Sequence, residues 1–129
     1  MKIIKNKTFT ANAVIGLVRG YSQKKISIVE FKKVLLSAQQ KIREQHEIGL
    51  SIKLSSTEII FLGQEEPSID LQIIQYPKFP QTEEVLKKVF LELIEILMLE
   101  LEQNRVVIVF TEETIMLEQS EAIDPNIQI

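Results

Sequence analysis

The stretch "GYSQKKISIVEFKKVLL" at residues 20–36 returns in outline at residues 75–91 as "QYPKFPQTEEVLKKVFL". Tyr21 falls on Tyr76. Phe31-Lys32-Lys33-Val34-Leu35-Leu36 falls on Leu86-Lys87-Lys88-Val89-Phe90-Leu91, at a constant offset of 55 residues. Self-similarity at a fixed period is the mark of one supersecondary unit written twice. No other feature restricts the possible folds as much.

The elements on either side fit that reading. "AVIGLVR" (13–19) is apolar and partly β-branched, which predicts a buried strand stopped by Gly20. Ser27-Ile28-Val29-Glu30 has the spacing of a capping box, with Ile26 and Phe31 placed as a hydrophobic staple. Ile28, Phe31, Leu35, Ala38 and Ile42 then recur at helical spacing, predicting a helix over about 28–47. "LSIKL" (50–54) alternates as a one-sided strand. Ser55-Ser56-Thr57 breaks it, and "EIIFLG" (58–63) is a second strand. A polar turn, "GQEEPS", leads to the strand "IDLQIIQY" (69–76). Pro77 and Pro80 end that strand, since proline has no N–H to donate. Thr82 caps a second helix to about residue 102, with Glu83 and Glu84 in its first turn. "RVVIVF" (105–110) and "IMLEQ" (115–119) are the last two strands.

The resulting order is β-α-β-β twice over. It predicts an α+β domain of duplicated β-α-β-β units: a four-stranded mixed sheet with two helices on one face. The expected divisions are a first repeat at 13–63 and a second at 69–119. They are flanked by an N-terminal extension, 1–12, and a tail, 120–129, all within a single domain. Between Val85 and Leu101, 12 of 17 residues are apolar. A helix with one buried face needs fewer. The surplus predicts either burial on two sides or contact with another copy of the chain.

Charge is distributed unevenly. Residues 1–64 hold 11 Lys and Arg against 4 Asp and Glu, whereas residues 65–129 hold 4 against 14. Such polarity can bring copies of a chain into register. The basic half suggests nucleic-acid binding as a secondary reading, but a pI near 5.3 and few aromatics there oppose it. The absence of cysteine removes disulfides and thiolate chemistry and fits a reducing, cytoplasmic setting. With His46 as the one histidine, no zinc ligand set exists, and no glycine-rich phosphate loop is present. No metal, cofactor or membrane span is expected.

The layout resembles the tautomerase superfamily, of the macrophage migration inhibitory factor type. The resemblance is carried by "FLGQEEPSIDLQIIQYPKF" and "NRVVIVF" and covers about residues 13–119. It implies duplicated β-α-β units assembled as a trimer. A ferredoxin-like sheet is the alternative. Enzymes of that family use an amino-terminal proline as base. Here residue 2 is Lys2, and the pocket positions of the matching strand are Val107 and Val109. The family's mechanism is therefore not expected, and no catalytic residue is assigned.

The candidate ligand-binding residues lie at the ends of the repeat-related strands. Arg19 and Tyr21 precede one helix, Tyr76 and Lys78 precede the other, and Arg105 opens a strand. A tyrosine with a cation in each repeat suits a small acidic or planar ligand. The expectation is a non-enzymatic, self-assembling binding or structural module, with a trimer favoured. Its alternatives are an isomerase of 2-oxo acids with a non-proline base, and nucleic-acid binding.

Overall fold

A computed structural model describes residues 1–127. The elements are β1 (Ala11–Gly16), α1 (Ile28–His46), β2 (Ser51–Phe61), β3 (Gln64–Ile74), α2 (Glu83–Glu100), β4 (Arg105–Phe110) and β5 (Thr114–Glu118). The strands form one sheet in the order β2-β3-β1-β4-β5. Every neighbouring pair is antiparallel. β1 and β2 therefore run parallel with β3 inserted between them. The first six elements have the β-α-β-β-α-β order of the ferredoxin-like alternative, and β5 is added at one edge.

This corrects the predicted sheet, which was four-stranded and mixed as a tautomerase-like domain requires. It also corrects the β-α-β-β repeat. Ser55-Ser56-Thr57 does not break the chain. It lies inside β2, a single strand of 11 residues, where Thr57 Oγ1 meets Ser68 Oγ on β3 at 2.7 Å. The turn is instead Leu62-Gly63, both with positive φ, 46° and 86°. Two such residues make the tight hairpin whose twist matches its strands. Pro67, read as part of a turn, sits within β3. Within a strand, a residue's N–H and C=O point to the same side. The Pro67 carbonyl accepts from Leu17 N at 2.7 Å, so its missing N–H falls just past the end of β1, where no ladder bond is lost.

The helices form where their caps predict. Ser27 accepts from Glu30 N at 3.0 Å, and Thr82 accepts from Val85 N at 3.2 Å. Glu30 does not turn back on Ser27 as a full capping box would; it pairs with Arg19. α1 buries Phe31, Leu35, Ala38 and Ile42. α2 buries Leu86, Val89, Phe90, Leu93, Ile94, Leu97 and Met98, against α1 and the sheet together. Its surplus of apolar residues is thus satisfied largely within the chain, with Leu99 left exposed. His46 Nε2 lies 2.5 Å from Glu92 Oε2 and ties the two helices.

The covered face of the sheet supplies Ala11, Ala13 and Ile15 of β1, Ile69, Leu71 and Ile73 of β3, and Val106, Ile108 and Phe110 of β4. Phe90 meets Phe110 edge-on at 6.4 Å, and Phe9 lies 6.1 Å from Phe110, which anchors the segment before β1. The opposite face leaves Val107, Val109 and Met116 exposed. Among the described residues, no helix is long and apolar enough to cross a membrane.

Candidate functional site

The last residue of β1, the first residues of β3 and the loop from α2 into β4 meet at one end of the sheet. Glu66 is brought there by β3. Its register places it on the uncovered face, two residues before Ser68, which pairs with Gly16. The carboxyl folds back over Gly16. A Cβ on Gly16 would overlap Glu66 Oε1 and lie 2.8 Å from its Cδ. Glycine is needed here because a side chain approaches the backbone closely. The result is a half-buried carboxyl. Burial, and then repulsion from Asp124, raise its proton affinity above the usual glutamate range.

Glu66 lines a cleft of about 330 Å³ with Tyr21, Lys25, Ile59, Phe61 and Asp124. One side is built around Tyr21. Gly20 has φ 53° and donates to Glu102 O at 2.8 Å, which turns the chain so that Tyr21 faces the α2–β4 loop. The Tyr21 hydroxyl accepts from Asn104 Nδ2 at 2.9 Å and from Arg105 Nη1 at 3.1 Å, and donates to Ala122 O at 3.0 Å. Beneath them Gln103 is buried, and its Nε2 donates to Val18 O at 2.8 Å. A cavity with convergent polar groups and a carboxyl of shifted proton affinity is the arrangement expected of a reactive site.

The five residues singled out in the sequence divide between two ends of the molecule. Arg19, Tyr21 and Arg105 gather near this cleft. Tyr76 and Lys78 lie on the loop after β3, at the other end, where Tyr76 lines a wider hollow of about 700 Å³ with Arg43 and Phe79. That hollow is the larger of the two, but the one carboxylate on its wall, Glu47, is exposed, so it holds no half-buried carboxyl. The two guanidinium groups have partners inside the chain. Arg19 donates to Glu100 O at 3.1 Å and pairs with Glu102 and Glu30, which hold its proton more firmly. Arg105 pairs with Glu118 at 3.0 Å and donates to Ala122 O at 2.7 Å. Neither lines the cleft; each braces the segments beside it. Glu66, Asp124 and Asn104 were not singled out. A glycine interrupting the apolar run "AVIG" was the one available sign of close approach beside Glu66.

Gly16→Ala is expected to push the Glu66 carboxyl out toward water. Its raised proton affinity should then fall back toward the ordinary range, read as a lower midpoint in a side-chain carboxyl NMR titration. An unchanged midpoint would refute the packing described here.

No family model matches the sequence. No curated protein matches it either. Two solved structures share its fold. A phage SAM lyase in its apo state aligns with a TM-score of 0.73 at 17% identity, over 95% of this chain and 98% of that chain. A phage SAM lyase in complex with S-methyl-5'-thioadenosine aligns with a TM-score of 0.68 at 16% identity, over the same shares. Likeness at this identity establishes the fold. It also overturns the expectation of a non-enzymatic tautomerase-fold module, since both matching structures are of a phage SAM lyase. The 2-oxo acid isomerase, drawn from the tautomerase resemblance, and nucleic-acid binding are set aside with it.

Proposed function

We propose that the chain is a lyase that cleaves a carbon–sulfur bond in a sulfonium nucleoside of the S-adenosylmethionine type. The observation that carries this reading is the fold, shared along nearly the full length of both chains with a SAM lyase. The cleft supports it chemically. In such a reaction the C–S electron pair goes to sulfur and a neutral thioether departs. The carbon left behind bonds to a nucleophile within the same substrate or gives up a neighbouring proton. Positive charge on sulfur is lost along the way, so a poorly hydrated site favours the step. Ile59 and Phe61 supply an apolar wall that can also take a planar base. Glu66, whose proton affinity burial and Asp124 raise, is the group suited to accept a proton. Tyr21 is the second polar group at hand.

The test is direct. Purified protein incubated with S-adenosyl-L-methionine is expected to release S-methyl-5'-thioadenosine, followed by chromatography. No release above the spontaneous rate would remove the proposal.

Self-assembly, with a trimer favoured, belongs to the same proposal. The exposed Val107, Val109 and Met116 on the open sheet face, and Ile59 to Leu62 at the hairpin tip, are apolar surface of the kind that copies of a chain cover. Light scattering at native concentration should give a mass of about three chains. A monomer mass would withdraw this part alone. A cytoplasmic setting is proposed on the same footing, from the cysteine-free composition.

A further inference from the structure

We propose that residues 119–127 are a strap across the Glu66 cleft, and that its Asp124 selects ligands carrying positive charge over neutral ligands of similar shape. The identity of the ligand rests on the lyase reading; the placement of the strap does not.

The strap is fastened on both sides of the cleft mouth. On one side Gln119 N donates to Asn104 O at 2.9 Å, and Ser120 N donates to Asn104 Oδ1 at 2.9 Å. The Ala122 carbonyl then accepts from three side chains: Tyr21 Oη at 3.0 Å, Asn104 Nδ2 at 3.2 Å and Arg105 Nη1 at 2.7 Å. A carbonyl oxygen has two lone pairs, so three donors saturate it. On the other side Gln64 Nε2, at the start of β3, donates to Asn126 O. Asp124, between these fastenings, and Ile127, just past the second, both line the cleft. They are partly buried, whereas Ala122, Ile123, Pro125 and Asn126 are exposed. Asp124 is held by its own turn, with Oδ1 accepting from Asn126 N at 2.9 Å. The strap therefore presents one carboxylate and one apolar side chain inward.

The charged groups on the cleft wall are Lys25 from the loop before α1, Glu65 and Glu66 from β3, and Asp124 from the strap. Acids outnumber the single cation, and an apolar wall stands beside them. A cation inside the cleft gains from Glu66 and Asp124 together and relieves the repulsion between these two. A neutral thioether of the same outline gains neither. Tyr21, Asn104 and Arg105 thus act as positioning residues for Asp124.

The experiment compares wild type with Asp124→Asn, a partly exposed side chain whose change leaves the core intact. The KM for S-adenosyl-L-methionine should rise by about tenfold, while the inhibition constant of S-adenosyl-L-homocysteine, the neutral thioether that keeps the same amino-acid arm, changes by less than about twofold. Equal losses for the two, or no loss for either, overturn the proposal. The Glu66 carboxyl should also titrate at lower pH in Asp124→Asn, seen by carbon NMR. If wild type does not turn over S-adenosyl-L-methionine, the lyase reading fails and the strap is judged by two other readouts. An unmoved Glu66 midpoint overturns it. So does the absence of any shift in the Glu66 resonance on adding trimethylsulfonium ion to wild type. A shift present in wild type and lost in Asp124→Asn upholds it.

Discussion

On the proposed lyase reading, Glu66→Gln is expected to abolish at least about 99% of turnover while making the protein more stable at neutral pH. Loss of a positioned proton acceptor costs roughly 10²–10⁴-fold. The stability change has the opposite sign for a reason visible at Gly16. The carboxyl is packed against backbone and faces Asp124, and both effects hold its proton affinity above that of an unfolded chain. A group raised in this way contributes stability that is complete below the ordinary glutamate range, about pH 4. That contribution is lost as pH rises through the elevated folded value. At neutral pH the native protein therefore carries a poorly hydrated charge that the amide does not. Melting curves at pH 7.5 should place the variant above wild type, and curves at pH 4 should bring the two together. A variant that turns over within about threefold of wild type would remove Glu66 from the chemistry. One that melts lower at pH 7.5 would contradict the burial assigned to it. Stability gained with activity lost is the usual signature of a strained reactive group.

Phe90→Ala should be the most damaging substitution for the fold. Phe90 is fully buried in α2 and sits edge-on to Phe110, the residue that also anchors Phe9. Truncation removes the ring's transfer energy and opens a cavity between α2 and β4, a loss of about 3–5 kcal/mol. Domains of this size are stable by about 5–15 kcal/mol in total. Denaturant melts should show the midpoint falling by about a fifth or more with the slope unchanged. A loss below about 1 kcal/mol would mean that Phe90 is not at the centre of the core. The damage should extend to the N-terminal segment, because Phe9 packs on Phe110, the ring that Phe90 supports. Faster amide exchange at residues 6–10 than elsewhere in the variant would show it.

The sequence was most legible where neighbours in the chain decide the outcome. Ser27 and Thr82 set the helix starts because a cap acts on the next three residues. The apolar stripe of α1 named its four buried side chains and one partly buried, Ile28, because helical spacing is local. Legibility failed where partners are distant. Ser55-Ser56-Thr57 reads as a break by composition, yet β3 pairs with every one of these residues and holds them extended. Leu62-Gly63 reads as strand and is the turn. The candidate site fared likewise. Tyr21 and Arg105 were singled out as ligand cations and tyrosines of separate repeats, but their meeting depends on Asn104 and on the carbonyl of Ala122. Glu66 looked like one acid of a polar turn. Its altered chemistry comes from Gly16, some fifty residues earlier, and from Asp124, some sixty later. Neither relation has a period that a pattern could reveal.

The position of β1 in the middle of the sheet has a consequence for how the protein is made. Asn12 pairs with Gln72 on one side and with Val109 on the other. The earliest of these strands to be made is thus not flanked on both sides until β4 emerges. Until then the nascent chain offers β1 with one bare edge and α2 with only α1 and part of the sheet to pack on. Sheets closed by such remote pairings fold slowly and are open to mispairing meanwhile. Translation of this chain should therefore depend on chaperone capacity, and a stall before residue 105 should yield an insoluble product.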